Sequence, residues 1–291
     1  MVKPRKSTAI GLNATPGYYR RVQVELAGSV EEDDPDHTQY PFCLPVVQSM
    51  LRQYPDGLPL HPHITIFCGE NGSGKSTLLE AIAGAAGINP EGGSKNLMYP
   101  TRVTSSTLNS YLKLHRGARK ERDGYFLRAE CMYNVATALE ILDKEGAGER
   151  LLDGYGGESL HDQSHGESFF ALLQNRLYGD GFYLFDEPEA ALSPSRQFYL
   201  LRQMHLLAYT KNCQIIIATH SPILMASPGA QLYQINRDSI LPCKYTETDA
   251  FRVMRAYLAD PATAVSRAMH DAEAELQPRR TRKSRPTKEP S

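Results

Sequence analysis

The chain has 291 residues, 41% of them apolar, which suffices for one large α/β domain or two modest ones. A formal net charge of −1 excludes a uniformly basic nucleic-acid coat and an acidic solvating chain alike. No apolar run is long enough to cross a bilayer, and the five scattered cysteines form no C-x-x-C pair, so a reducing compartment is expected, with a cytoplasmic location and no membrane insertion.

Near the N-terminus, Tyr18 to Leu26 alternates: Val22, Val24 and Leu26 face one way, Arg21, Gln23 and Glu25 the other. That predicts a strand with one wet side. Residues 31–62 are proline-rich and irregular, with a short helix expected near Val46–Arg52. The pattern then changes to a continuous apolar run, I-T-I-F-C over 64–68, as expected of a central strand covered on both faces.

That strand opens into G-E-N-G-S-G-K-S-T, a match to G-x-x-x-x-G-K-[S/T]. Its residues are Gly69, Glu70, Asn71, Gly72, Ser73, Gly74, Lys75, Ser76 and Thr77. The glycines let backbone N–H groups turn inward around phosphate oxygens, and the helix that comes next points its N-terminus at the same anion. Lys75 is placed to reach the β- and γ-phosphates, and the Ser76 hydroxyl to ligate Mg²⁺. Leu78, Leu79, Ile82, Ala83 and Ala86 share one face of that helix.

Helical periodicity runs through about 101–179, with Met132, Val135, Leu139 and Leu142 on one stripe and Phe169, Leu173 and Leu177 on another. Between Asp162 and Phe170 the sequence D-Q-S-H-G-E-S-F-F puts a polar cluster directly before an amphipathic run. A second buried strand, F-Y-L-F over 182–185, ends on Asp186-Glu187-Pro188. At the carboxyl edge of an open α/β sheet, side chains point into the ligand crevice. Asp186 is placed there to hold Mg²⁺, and Glu187 to polarise a water for in-line attack on the γ-phosphorus. Ser193-Pro194 reads as a helix start, an N-cap followed by Pro at the first helical position. A third strand, Q-I-I-I-A over 214–218, leads to His220, whose imidazole can donate to a γ-phosphate.

The last thirteen residues, 279–291, carry six Lys/Arg against one Glu, a net +5 that leaves −6 on the rest. With no apolar residue in 279–291 to bury, 271–291 is expected to be a disordered basic tail, either a solvated segment that aids solubility or one that contacts phosphates. His61-x-His63 and the His161, Asp162, His165 group have metal-like spacing, yet neither has the remaining ligands nearby that zinc's four-coordinate site needs.

Gly69–Thr77, D-E-P-E-A-A-L-S and A-T-H-S-P together resemble the ATP-binding-cassette class of P-loop ATPases. They look most like its stand-alone AAA-family members, grouped with chromosome-maintenance and recombination-type ATPases. The resemblance implies an α/β P-loop NTPase core, a mostly parallel sheet flanked by helices, over about 18–100 and 180–258. It also implies a helical insertion over about 101–179 within one domain spanning 1–270. Ser164, His165, Gly166 and Glu167 then stand in the place of the class signature, which acts in trans on the ATP of a second copy. Ala190–Ser193 matches the loop that meets that partner. His165 and Glu167 depart from the signature. The Gln that the class places at the end of a strand after the phosphate loop has no counterpart between Gln53 and Gln163, so Thr101 or Asn96 are its stand-ins.

The implied function is Mg²⁺-dependent ATP hydrolysis with Lys75, Glu187 and His220 as catalytic residues. It drives a homodimerisation switch in DNA maintenance, repair or defence whose client is nucleic acid or a partner protein. Two alternatives are the ATPase subunit of a membrane transporter and a low-turnover nucleotide-binding regulator.

Overall fold

The structure, a computed structural model, describes residues 17–26, 38–95, 107–128, 132–145, 151–155, 157 and 165–276. In chain order these form β1 (Tyr19–Val24), α1 (Pro45–Gln53), β2 (Leu58–Pro59), β3 (Ile64–Gly69), α2 (Lys75–Ala85), β4 (Gly93–Ser94), β5 (Leu112–Arg116) and β6 (Asp123–Arg128). They continue with α3 (Met132–Glu145), α4 (His165–Asn175), β7 (Gly181–Asp186), α5 (Pro194–Thr210), β8 (Gln214–Ala218), α6 (Pro222–Met225), β9 (Gln231–Ile235) and β10 (Ile240–Cys243). Two further helices, α7 (Asp249–Ala259) and α8 (Pro261–Leu276), close the described chain.

Among the described residues the main sheet has the order β10-β9-β3-β8-β7-β6-β4. β9, β3, β8, β7 and β6 run parallel, and the edge strands β10 and β4 are antiparallel. Every residue of β7 and β8 is buried, which is why both read as unbroken apolar runs rather than alternating ones. Leu78, Leu79 and Ile82 of α2 are fully buried in a cluster with Phe67, Phe126, Leu184 and Ile216. Each such side chain stabilises the fold by about 1.5–3 kcal/mol.

Strand register brings the functional positions to one edge. Arg128 lies opposite Asp186, Asp186 opposite Ala218, and Phe67 opposite Ala218. The carboxyl ends of β3, β6, β7 and β8 are therefore level, and the phosphate loop, the acid pair and His220 all depart from them.

β1 pairs with β2 and β5 in a separate three-stranded antiparallel sheet. The expected alternation holds at Val22 and Val24, and a bulge between Tyr19 and Arg21 turns Tyr19 inward as well. Glu121, between β5 and β6, has a wholly buried side chain that accepts from Lys95 Nζ (2.5 Å), Arg116 Nη1 (2.9 Å) and the Tyr19 hydroxyl (2.9 Å). Burial pushes its pKa up, but the hydrogen bonds from Lys95, its own backbone, Arg116 and Tyr19 prevail and hold it down at about 2. A carboxyl depressed on folding adds stability that is complete above about pH 4.5 and fades as pH falls toward 2. Glu121→Gln should therefore cost roughly 3 kcal/mol at pH 7, with the difference from wild type shrinking in acid. Urea unfolding of both proteins from pH 7 to pH 3 checks this, and a difference that does not change with pH would refute it.

Three boundaries differ from expectation. The stretch 101–179 is not helical throughout: it supplies β5 to the small sheet and β6 to the main one. The apolar part of β6, Tyr125-Phe126-Leu127, is too short for its period to separate strand from helix, and its partner β7 begins only at Gly181. At the C-terminus, α8 runs to Leu276, so 271–276 are helical, as their alternating Ala and Glu favour. Where one domain over 1–270 was expected, the described residues up to Thr248 form one compact unit and those from Asp249 a second. The rest of the basic tail, 277–291, lies outside the described residues, as do Asn96 and Thr101.

Candidate nucleotide site

The phosphate loop is held open by contacts that exclude side chains at two of its glycines. Gly69 has φ of 152°, and a Cβ there would collide with the carbonyl oxygen of Ile235. Gly74 has φ of 93°, and a Cβ would stand 2.6 Å from Cγ1 of Val46. The helix α1 thus braces the loop, and its Val46 N–H also donates to the Ser73 carbonyl (3.1 Å). Glu70, Asn71 and Gly72 form the exposed crest, Ser73 and Lys75 are buried, and Thr77 is half-buried.

Lys75 Nζ lies within the loop, donating to the carbonyls of Gly69 (3.0 Å) and Glu70 (2.9 Å) and to Ser73 Oγ (3.4 Å). Burial lowers its pKa, opposed by the carboxylates of Glu187 and Asp186. One residue on, Ser76 Oγ donates to Asp186 Oδ1 (3.0 Å). Asp186 is 6% exposed, and burial pushes its carboxyl up to about 6 despite Arg128 and the Ser76 hydroxyl. A carboxylate bonded to a serine hydroxyl is a pair of hard oxygen donors of the kind Mg²⁺ takes. Mg²⁺ keeps several waters and binds through few protein ligands, and no group of three or more His, Cys, Asp or Glu side chains fit to hold a metal occurs among the described residues.

Glu187 sits at φ 45°, ψ 50°, a left-handed conformation rare for a residue with a side chain, directly after β7. This turn brings Oε1 to 3.3 Å from His220 Nε2, with both side chains partly exposed. Asp186, Glu187 and His220 are thus brought together as their strand-end positions predict.

Two residues of the site carry little signal in the sequence. Glu189 Oε1 accepts the backbone N–H groups of His220 (2.5 Å) and Ser221 (3.2 Å). Gln197 joins the same loops, accepting from Ser221 Oγ (2.6 Å) and donating to the Leu192 carbonyl (3.1 Å). Together they tie the turn after the acid pair to the turn carrying His220. The local hint is a third acid in D-E-P-E.

Of the four signature positions, Ser164 lies outside the described residues and His165 begins α4. Gly166 is buried and Glu167 exposed, pointing the acid outward. A Cβ at Gly166 would meet Nη1 of Arg196 and stand 3.5 Å from the Ala191 carbonyl. Arg196 also lies over the Phe170 ring, 5.5 Å from its centroid. The first turn of α4, the loop at Ala191 and an arginine therefore converge, and nothing in the sequence marks the arginine. The two histidines at 61 and 63 are structural: His61 Nδ1 accepts from the N–H groups of His63 and Ile64, and His63 Nδ1 bonds the Ala208 carbonyl.

Residues 104–226 match the family described as "AAA domain, putative AbiEii toxin, Type IV TA system", and residues 54–131 match a second described as "AAA domain". The chain is 26% identical over 213 residues to a "Putative ABC transporter ATP-binding protein" of Geobacter sulfurreducens, covering 65% of this chain and 74% of that one. It is 27% identical over 174 residues to a molybdenum import ATP-binding protein of Rhizobium etli, covering 54% of this chain and about half, 47%, of the relative. A solved structure of a putative metal-chelate type ABC transporter in an inward-facing conformation aligns with TM-score 0.44 at 13% identity, over 81% of this chain and 88% of that one. A likeness that loose bears on neither function nor partners. The sequence matches, together with the strand-loop-helix phosphate site, support a P-loop ATPase of the ABC/AAA type that takes ATP with Mg²⁺.

Proposed function

We propose that this ATPase is a nucleotide-driven dimerisation switch of the recombination or defence type, acting in the cytoplasm on nucleic acid or on a partner protein. In this reading the phosphate loop, Gly69 to Thr77, wraps the triphosphate, and Lys75 contacts its β- and γ-phosphates. Ser76 and Asp186 hold Mg²⁺, which when bound offsets the charge on the phosphates. Glu187 takes the proton of the attacking water, and His220 donates to the γ-phosphate. The clamp through Glu189 and Gln197 keeps His220 in step with the partner-facing loop.

One observation supports the switch most: Gly166 at the start of α4, Ala191 and Arg196 meet at one place. A helix start, a backbone loop and a guanidinium make a phosphate-binding face suited to the nucleotide of a second copy. The description of the family matched over 104–226 favours a defence role. The names of the relatives favour the alternative, a transporter subunit. That alternative predicts turnover governed by a membrane partner and indifferent to DNA, so ATPase rates with and without DNA across a range of salt separate the two.

Mixing variants tests the trans arrangement. Ser164→Arg alone should leave ATP binding nearly intact and block hydrolysis, because a long cation at the start of α4 obstructs the approaching subunit. In a heterodimer of Ser164→Arg with Lys75→Ala, one composite site carries both lesions and the other neither. About half of wild-type activity should return. No recovery in a heterodimer confirmed by mass would count against the switch.

A further inference from the structure

The end of β6 carries a cation that the proposed reaction has not used. Arg128 is the register partner of Asp186, and its side chain is 14% exposed. Nη1 lies 2.8 Å from Glu80 Oε1, and Nε lies 3.4 Å from Asp186 Oδ2. Glu80 stands four residues after Ser76 on α2, hence on the same helix face. Ser76, Glu80, Asp186 and Arg128 thus form one cluster on the phosphate side of the sheet.

The other end of the same strand offers a comparison. There Asp123 takes Arg176 in a bidentate pair, at 2.9 and 3.0 Å, far along β6 from the phosphate loop. That pair has the geometry of a structural tie. Arg128 stands between two acids instead, with Nη1 2.8 Å from Glu80 and Nε 3.4 Å from Asp186, whose other oxygen takes the Ser76 hydroxyl. A guanidinium cannot shed its charge at any accessible pH. Glu80, Asp186 and Arg128 together carry −1, so the cluster can accept a further cation only against Arg128's repulsion.

We propose that Arg128 is a resident cation of the nucleotide site, sharing with Mg²⁺ both the Asp186 carboxylate and the compensation of triphosphate charge. It occupies the strand end beside the acid pair and is the side chain that stands in for the missing Gln, where Thr101 and Asn96 were the sequence candidates. The metal then enters in competition with the guanidinium, and ATP is held in part without metal. This inference rests on the ATP site proposed above and assigns Arg128 a direct ATP-binding role within it.

Calorimetric titration of the full chain with ATP, in Mg²⁺ and in EDTA, tests it. Wild type should lose less than about tenfold in affinity on chelation, and Arg128→Gln about a hundredfold, the span expected of one charge-assisted contact. The Mg²⁺ concentration giving half of the ATP-dependent thermal stabilisation should fall several-fold in Arg128→Gln. Glu80→Gln, which removes the anchor and leaves the cation, should act with opposite sign and strengthen ATP binding in EDTA. If either variant weakens binding by the same factor with and without Mg²⁺, the pair is a structural tie and the inference is overturned. Wild type that binds no ATP even in Mg²⁺ would instead overturn the site reading itself.

Discussion

Lys75→Ala is expected to abolish ATP turnover and to weaken ATP binding by about 10²- to 10⁴-fold. Nζ is anchored inside the phosphate loop by the carbonyls of Gly69 and Glu70, where it would meet two phosphates at once. Charge-assisted hydrogen bonds of this kind contribute about 1.5–3 kcal/mol each, which gives that range for two. The fold should survive the change, because burial already opposes the ammonium charge and the loop is shaped by Gly69, Gly74 and α1 rather than by the lysine. Calorimetric titration with ATP reports the affinity, and far-ultraviolet circular dichroism reports the fold. A well-folded variant with ordinary affinity would show that the nucleotide binds elsewhere.

Glu187→Gln should separate binding from chemistry. Gln keeps the length of the side chain and can hold the same left-handed backbone at φ 45°, so the neighbourhood of His220 should persist. It cannot accept a proton from water. Loss of a positioned general base costs about 10²- to 10⁴-fold in rate. Turnover should fall by that factor while ATP affinity stays within about threefold of wild type. With hydrolysis blocked, the nucleotide-bound dimer should accumulate and be visible by light scattering on addition of ATP and Mg²⁺. Hydrolysis at the wild-type rate would move the base to another residue, and a purely monomeric ATP-bound variant would oppose the switch.

Most of the proposed site was legible because its chemistry is written in contiguous motifs. Gly69 to Thr77 needs only its own backbone angles and the start of α2, and both are local. Asp186, Glu187 and His220 each come after an apolar run, and the end of a parallel strand is where such residues become useful. The extent of β6 was not legible. Its three apolar residues carry no distinguishable period, and what makes them a strand is pairing with β7, whose first residue lies beyond α3 and α4. Arg128 was lost with it, since an arginine after a short apolar run means nothing until its neighbour is known. Glu189 and Arg196 were hidden for the same reason. One finds backbone donors 31 and 32 residues ahead, and the other reaches back to Gly166.

The sequence by itself determined the α/β class, the phosphate loop, the acid pair and the histidine, because each depends on residue type and on spacing of a few positions. Only the tertiary structure decided the strand order, the departure of β1 and β5 into a second sheet, and the meeting of Arg128, Glu80, Ser76 and Asp186. Those outcomes rest on long-range pairing, in which the free energy of burying whole sheet faces selects among partners that look alike along the chain.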